Sequence, residues 1–221
     1  MRQTLRAPRA LLILGLALAL GLVLAAGPAR AERVITQDGQ YDPLSEEPFF
    51  RPWPADIDWL DVRHRTSLLT VRIAYHFDSG EWPGFTRTFV DTRRDRNGPE
   101  FEVRLTVRET ATTRTTALKV FRLAPLPAGA AWIPPRSVSG PGIACSGMTT
   151  SLTGPTGDRS DLRVVNVPRR CLGSPGLLRV GVLTQGSDPA EPSRFEDYAP
   201  GGRNEVTGEG TFDWTTWLRR G

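Results

Sequence analysis

The chain has 221 residues, with 28 basic against 24 acidic side chains and a formal net charge of +4. Four of the arginines (Arg2, Arg6, Arg9 and Arg30) fall within residues 1–31 and no acid does, so residues 32–221 carry 24 charges of each sign and are formally neutral. That balance removes the cationic surplus on which nucleic-acid binding depends, and no nucleic-acid partner is expected.

Arg2, Arg6 and Arg9 make a positively charged start, followed by an uncharged apolar run from Leu11 to Ala26. Ala29-Arg30-Ala31 then supplies the small-x-small pattern of a signal-peptidase site. The apolar run has about 16 residues, short of the roughly 20 that cross a bilayer. Residues 1–31 therefore read as a secretory signal peptide cleaved after Ala31. The mature chain is expected to be secreted, with no membrane attachment after cleavage. No Cys follows the apolar run and no twin-Arg pair precedes it, which favours the general secretory route without a lipid anchor.

Residues 32–55 are rich in Pro, acids and aromatics (Tyr41, Phe49, Phe50, Trp53) and read as an irregular lead-in packed on the domain. From Ile57 the signals are those of strands. Leu69, Val71, Ile73, Tyr75 and Phe77 alternate with Thr70, Arg72, Ala74 and His76. Phe101, Val103, Leu105 and Val107 alternate with Glu102, Arg104, Thr106 and Arg108. A period of two places each set on one face of a half-buried strand. Residues 57–64, 85–92, 115–123, 162–167 and 177–184 read the same way. Turn chemistry separates them at Asp78-Ser79-Gly80, at Arg96-Asn97-Gly98-Pro99 and at Gly154-Pro155-Thr156-Gly157-Asp158. No stretch after residue 31 shows a capped apolar period of 3.6. The expectation is an all-β antiparallel β-sandwich, jelly-roll-like, as one domain over residues 56–221. Residues 124–142 are expected to cross between the sheets, and residues 186–210 to form a long polar loop before Trp214, Trp217 and Leu218.

Cys145 and Cys171 are the two cysteines. An even count in an exported chain reads as a disulfide. Closing a loop of about 26 residues stabilises a fold by roughly 3.5 kcal/mol on chain-entropy reasoning. The alternative, a Cys nucleophile, needs a base beside a thiolate, and neither His64 nor His76 is close to either Cys in sequence.

Candidate chemistry is sparse. A hairpin of residues 57–64 and 68–77 puts His64 at the turn and His76 at the far end, about 26 Å apart, too far to share a metal. His76 is then placed to pair with Asp56. No nucleophile elbow and no phosphate-binding Gly loop occurs, and no cofactor is expected. Asp91, Asp95 and Glu100 flank the turn at Asn97-Gly98 and form a candidate weak cation site, since hard oxygen ligands beside a tight turn can hold Ca²⁺. Arg93, Arg94 and Arg96 interleave with them, so a charged hairpin tip is the competing reading. Leu60 and Val62 face inward by alternation, which turns Trp59 outward with Asp61. An exposed Trp beside carboxylates is suited to stacking on a sugar, so Trp59 and Trp82 are candidate ligand-stacking residues. Coverage of Trp59 by the lead-in is the alternative.

Several segments together carry a resemblance. They are Asp56-Ile57, Phe89-Val90-Asp91-Thr92 leading to Gly98-Pro99-Glu100-Phe101, then Cys145, Val167-Pro168-Arg169-Arg170-Cys171-Leu172-Gly173, and Leu178-Arg179-Val180-Gly181-Val182. In order and spacing the chain resembles an uncharacterised family of exported actinobacterial proteins, similar in pattern to the jelly-roll sandwiches of carbohydrate-binding and DOMON-type modules. The single lysine, Lys119, fits a GC-rich coding bias. The resemblance implies the Cys145–Cys171 bridge and an Asp-Thr…Gly-Pro-Glu hairpin, and it transfers no catalytic residue. Arg93 stands where the family usually has an acid, which weakens a cation site there. The resulting expectation is a non-enzymatic extracellular binding or cell-envelope interaction module, with a polysaccharide or cell-wall component as partner. A carbohydrate-binding module, or a hydrolase with an unrecognised carboxylate pair, are the alternatives.

Overall fold

The structure, a computed structural model, describes residues 32–38, 57–75, 84–109, 112–126, 132–134, 140–153, 162–188, 191–203 and 210–221. His76, Asp56, Trp53, Trp82 and the turns at 78–80 and 154–158 lie outside the described residues. Residues Ala31–Gly221 form one compact unit.

Two antiparallel sheets pack face to face, as the alternation predicts. The first has the order β1 (Glu32–Gln37), β2 (Ile57–His64), β3 (Leu68–Tyr75), β8 (Leu162–Pro168), β7 (Thr149–Thr153). The second has the order β10 (Glu191–Ala199), β9 (Leu177–Asp188), β4 (Gly84–Asp91), β5 (Phe101–Glu109), β6 (Arg114–Arg122). Short β11 (Gly201–Arg203) pairs β12 (Gly210–Phe212), and β13 (Leu218–Arg219) adds to β9. The chain crosses between the sheets after β3, β6 and β8. The second of these crossings contains residues 124–142, as expected.

The inward-facing members of each alternating set make the core. Leu60, Val62, Leu69, Val71, Ile73, Val165 and Val167 come from the first sheet. Val90, Val103, Leu105, Val107, Val120, Val180 and Val182 come from the second. Burying a side chain of this kind is worth about 1.5–3 kcal/mol. His64 is the last inward position of β2, after Leu60 and Val62, and is fully buried. Its Nδ1 lies 3.2 Å from the Leu218 carbonyl. Polar groups also enter the core. The Tyr75 hydroxyl lies 3.1 Å from the hydroxyls of both Thr86 and Thr184, and Arg163 donates to Thr86 Oγ1 at 2.7 Å.

Two expectations are corrected. The lead-in is not irregular throughout, because Glu32–Gln37 is a strand in register with β2, Val34 opposite Val62. Val34 packs on the core, so the sandwich begins at residue 32 and not at 56. Its two strongly apolar residues, Val34 and Ile35, are adjacent and not alternating, so six residues carry too little periodicity to be seen beside the Pro-rich stretch that follows. Residues 186–210 are not a long loop. β9 continues to Asp188 and β10 returns along it, with Asp197 opposite Thr184 and Ala199 opposite Val182. An edge strand is held by backbone bonds to a single neighbour, so its side chains need not alternate strongly.

Cys145 and Cys171 are bonded, with Cα atoms 5.7 Å apart. Cys171 sits in a 3₁₀ turn, Arg169–Leu172, that ends at Gly173 in the left-handed region (φ 74°). The buried Arg169 donates to the carbonyls of Thr66, Ser174 and Pro175, which fixes the chain leaving this turn.

Candidate functional site: an arginine-lined pocket at one end of the sandwich

The connection from β4 to β5 (residues 92–100) is the hairpin tip on which Asp91, Asp95 and Glu100 were candidate cation ligands. The structure gives each carboxylate other work. Asp91 is fully buried and paired with Arg179 at 2.7 Å, and it accepts the Arg93 backbone N–H at 3.0 Å. Asp95 is solvent-exposed and pairs with Arg93 at 3.3 Å, an interaction that lowers its pKa. Glu100 Oε2 accepts from the Thr92 backbone N–H at 2.8 Å and from the Thr92 hydroxyl at 3.0 Å. Among the described residues no three His, Cys, Asp or Glu side chains are grouped to hold a metal ion. Each carboxylate is drawn to a separate partner, Asp91 to Arg179 of β9, Asp95 to the interleaved Arg93 and Glu100 to Thr92.

What the tip builds instead is a pocket of about 480 Å³. One wall is residues 92–100. The others are the end of β6 with the segment after it, and Leu172, Gly173 and Pro175 beyond the disulfide. Buried Phe101 and Leu172 supply apolar surface. Arg93, Arg96 and Arg122 supply charge. Arg96 and Arg122 make no ion pair among the described residues, and the Arg122 guanidinium lies 5.6 Å from the Phe101 ring centroid. Glu100 also lines the pocket, and its Oε1 is buried with no hydrogen-bond partner. A buried carboxylate oxygen left unpaired is costly.

Packing from outside holds the tip in place. Gly98 adopts φ 78°, and a Cβ there would lie 2.6 Å from Trp132 Cδ1. Trp132 in turn packs edge-on against Phe89, with centroids 4.7 Å apart, and against Trp214 at 5.4 Å. Arg94 and Arg179 both lie over the Trp217 ring, at 5.2 and 4.8 Å. Trp132, Trp214 and Trp217 thus brace the loop that forms the pocket.

Trp59 lies on the outward face of the first sheet with Asp61, as the alternation predicts. It is half-buried, between Gln37 of β1 and Ala74 of β3 in the pairing, with the Arg72 guanidinium 5.8 Å from its ring centroid. One neighbour is thus the first strand of the expected lead-in. Asp61 is 1% exposed because Arg33, Arg63 and Arg72 pair with it, at 2.7, 2.8 and 3.3 Å. The pocket arginines were visible in the sequence only as charges interrupting an acidic cluster. Arg122 is distant from them in sequence, and only the β5–β6 register brings it opposite Phe101. No known protein family, curated protein or solved structure matches the chain.

Proposed function

We propose that this is a secreted, non-enzymatic binding module of the cell envelope, and that the pocket at the end of its sandwich takes an acidic sugar. One observation carries the reading. Three arginines and Glu100, whose Oε1 is buried without a partner, line the same pocket over an apolar floor. Arginines favour a carboxylate or phosphate, bidentate where the geometry allows. Glu100 Oε1 favours a hydroxyl donor, and Phe101 and Leu172 favour the C–H face of a ring. A sugar bearing an acid group has all of these features. The signal-peptide pattern and the Cys145–Cys171 bond support an oxidising, extracellular setting. Among the described residues no helix is long and apolar enough to cross a membrane. The resemblance to exported actinobacterial sandwiches points the same way.

Stacking of a neutral sugar on Trp59 is the second reading, favoured by the outward placement of that ring. Retention of the mature protein on purified cell-wall polysaccharide separates the two. The acidic-sugar reading expects wild type and Trp59→Ala to be retained alike, and Arg96→Ser/Arg122→Ser to lose at least about tenfold in affinity for the single acidic sugar glucuronate. Release by Trp59→Ala with the double variant unaffected would transfer the function to Trp59. Absence of retention on any polysaccharide, acidic or neutral, would contradict both.

A further inference from the structure

A different part of the molecule holds a second concavity. The outward face of the second sheet holds an open groove of about 390 Å³ across β4, β5 and β6, away from the end pocket. The cross-strand register puts Arg104 directly opposite Lys119, and Arg108 opposite Thr115. Like charges directly opposite on a sheet are destabilising. Glu102 relieves part of the conflict. Fully buried, it pairs with Arg87 and Arg104, both at 2.8 Å, and Arg104 also lies 4.7 Å over the Phe121 ring. That holds Arg104 in one orientation. Lys119 and Arg108 are exposed and have no ion pair among the described residues. Phe85, at the same groove, is one of the few large apolar side chains exposed among the described residues, at 39%. Two exposed cations, Lys119 and Arg108, beside an exposed aromatic on an otherwise neutral domain break local rules, and such breaks mark functional positions.

From this arrangement we infer that the groove is a binding site for an acidic oligosaccharide chain, lying along β5 and β6 with acid groups on Arg104, Lys119 and Arg108 and a ring face on Phe85. Arg104 and Arg108 stand four positions apart on β5, about 13 Å, so the charges are spaced for repeated acid groups rather than for one anion. Thr106, Thr115 and Thr116 offer hydroxyls between them. An acidic peptide could meet the cations, but it offers Phe85 no sugar-like C–H face and the threonines no array of hydroxyls. The site goes beyond the end pocket and stands without it.

Lys119 is the only lysine, which gives a direct probe. Reductive ¹³C-methylation keeps its charge and labels it, together with the N-terminal amine alone. The mature protein so labelled is titrated by NMR with an oligogalacturonate, a sulfated oligosaccharide, a neutral gluco-oligosaccharide and oligoglutamate. The groove reading expects the Lys119 signal to move with one or both acidic sugars, the two arms telling carboxylate from sulfate, and to stay still with the neutral one. Affinity should fall about tenfold in Arg108→Gln and about fivefold in Phe85→Ala, with melting temperatures unchanged because both side chains are on the surface. Arg96→Ser/Arg122→Ser should leave this response intact, so failure of the end pocket and failure of the groove are told apart. A Lys119 signal that ignores both acidic sugars overturns the inference. So does equal movement with oligoglutamate, or indifference to Phe85→Ala, either of which reduces the groove to unspecific charge.

Discussion

Asp61 and Glu102 sit on the outward faces of opposite sheets, where solvent-facing acids are ordinary, yet both are buried beneath arginines. For Asp61 burial by itself would raise the pKa. Hydrogen bonds and charge from Arg33 and Arg63 outweigh it and hold the carboxyl at about 2, against 3.8 for a free side chain. The ionised form therefore favours the folded state. Its contribution is complete above about pH 4 and is lost as the pH falls through the folded value. Asp61→Asn should destabilise the protein by about 1–3 kcal/mol at neutral pH, less than for a dry ion pair because the three arginines are partly solvated. It should also reduce the loss of stability between about pH 4 and pH 2. Urea unfolding of both proteins across that range checks this, and parallel pH profiles would refute it. Alternation predicted the orientation of Asp61 and puts Arg63 beside it on the same face of β2, but Arg33 and Arg72 lie on two other strands and could not be read from spacing. The same holds for Asp91, whose partner Arg179 is 88 positions away.

Among the elements, those from residue 57 to 123 were legible because long apolar residues alternate over eight or nine positions, as in Leu68–Tyr75 and Phe101–Glu109. β1, β7 and β10 were not. The β7 sequence Thr-Thr-Ser-Leu-Thr has a single large apolar side chain, and β10 is an edge strand whose pairing shifts between Glu191 and Phe195. The bridge between Cys145 and Cys171 was legible from count and compartment. Its position beside the pocket was not. Because it anchors the turn from which Leu172, Gly173 and Pro175 line that pocket, its loss should act on both stability and binding. Cys145→Ser/Cys171→Ser should cost about 3.5 kcal/mol of stability. At a temperature where the variant remains folded, it should weaken acidic-sugar binding at the end pocket while leaving the Lys119 groove response intact. Calorimetric melting and the same NMR titration measure the two effects. An unweakened end pocket in the folded variant would show that the bridge does not support that wall.

At the level of the whole molecule, the neutral balance of residues 32–221 hides an uneven distribution. Asp61, Asp91 and Glu102 are turned into internal partners, while Arg93, Arg96, Arg108, Arg122 and Lys119 line or border open concavities. A cleft lined by one sign of charge concentrates ligands of the other sign, an effect that fades with salt. Composition gave the neutral balance of residues 32–221. It could not reveal this segregation, which depends on strand register and on which acids find arginines across the sheets. The proposed role of the end pocket is to recognise an acid group and a sugar hydroxyl together. The most direct measurement is an amide ¹H–¹⁵N titration of the mature protein with glucuronate, and with glucose as the neutral counterpart. Saturable shifts are expected at Arg93, Arg96, Gly98, Phe101 and Gly173 with glucuronate and none with glucose. Glucuronate leaving those amides unmoved, or glucose moving them equally, would contradict that role.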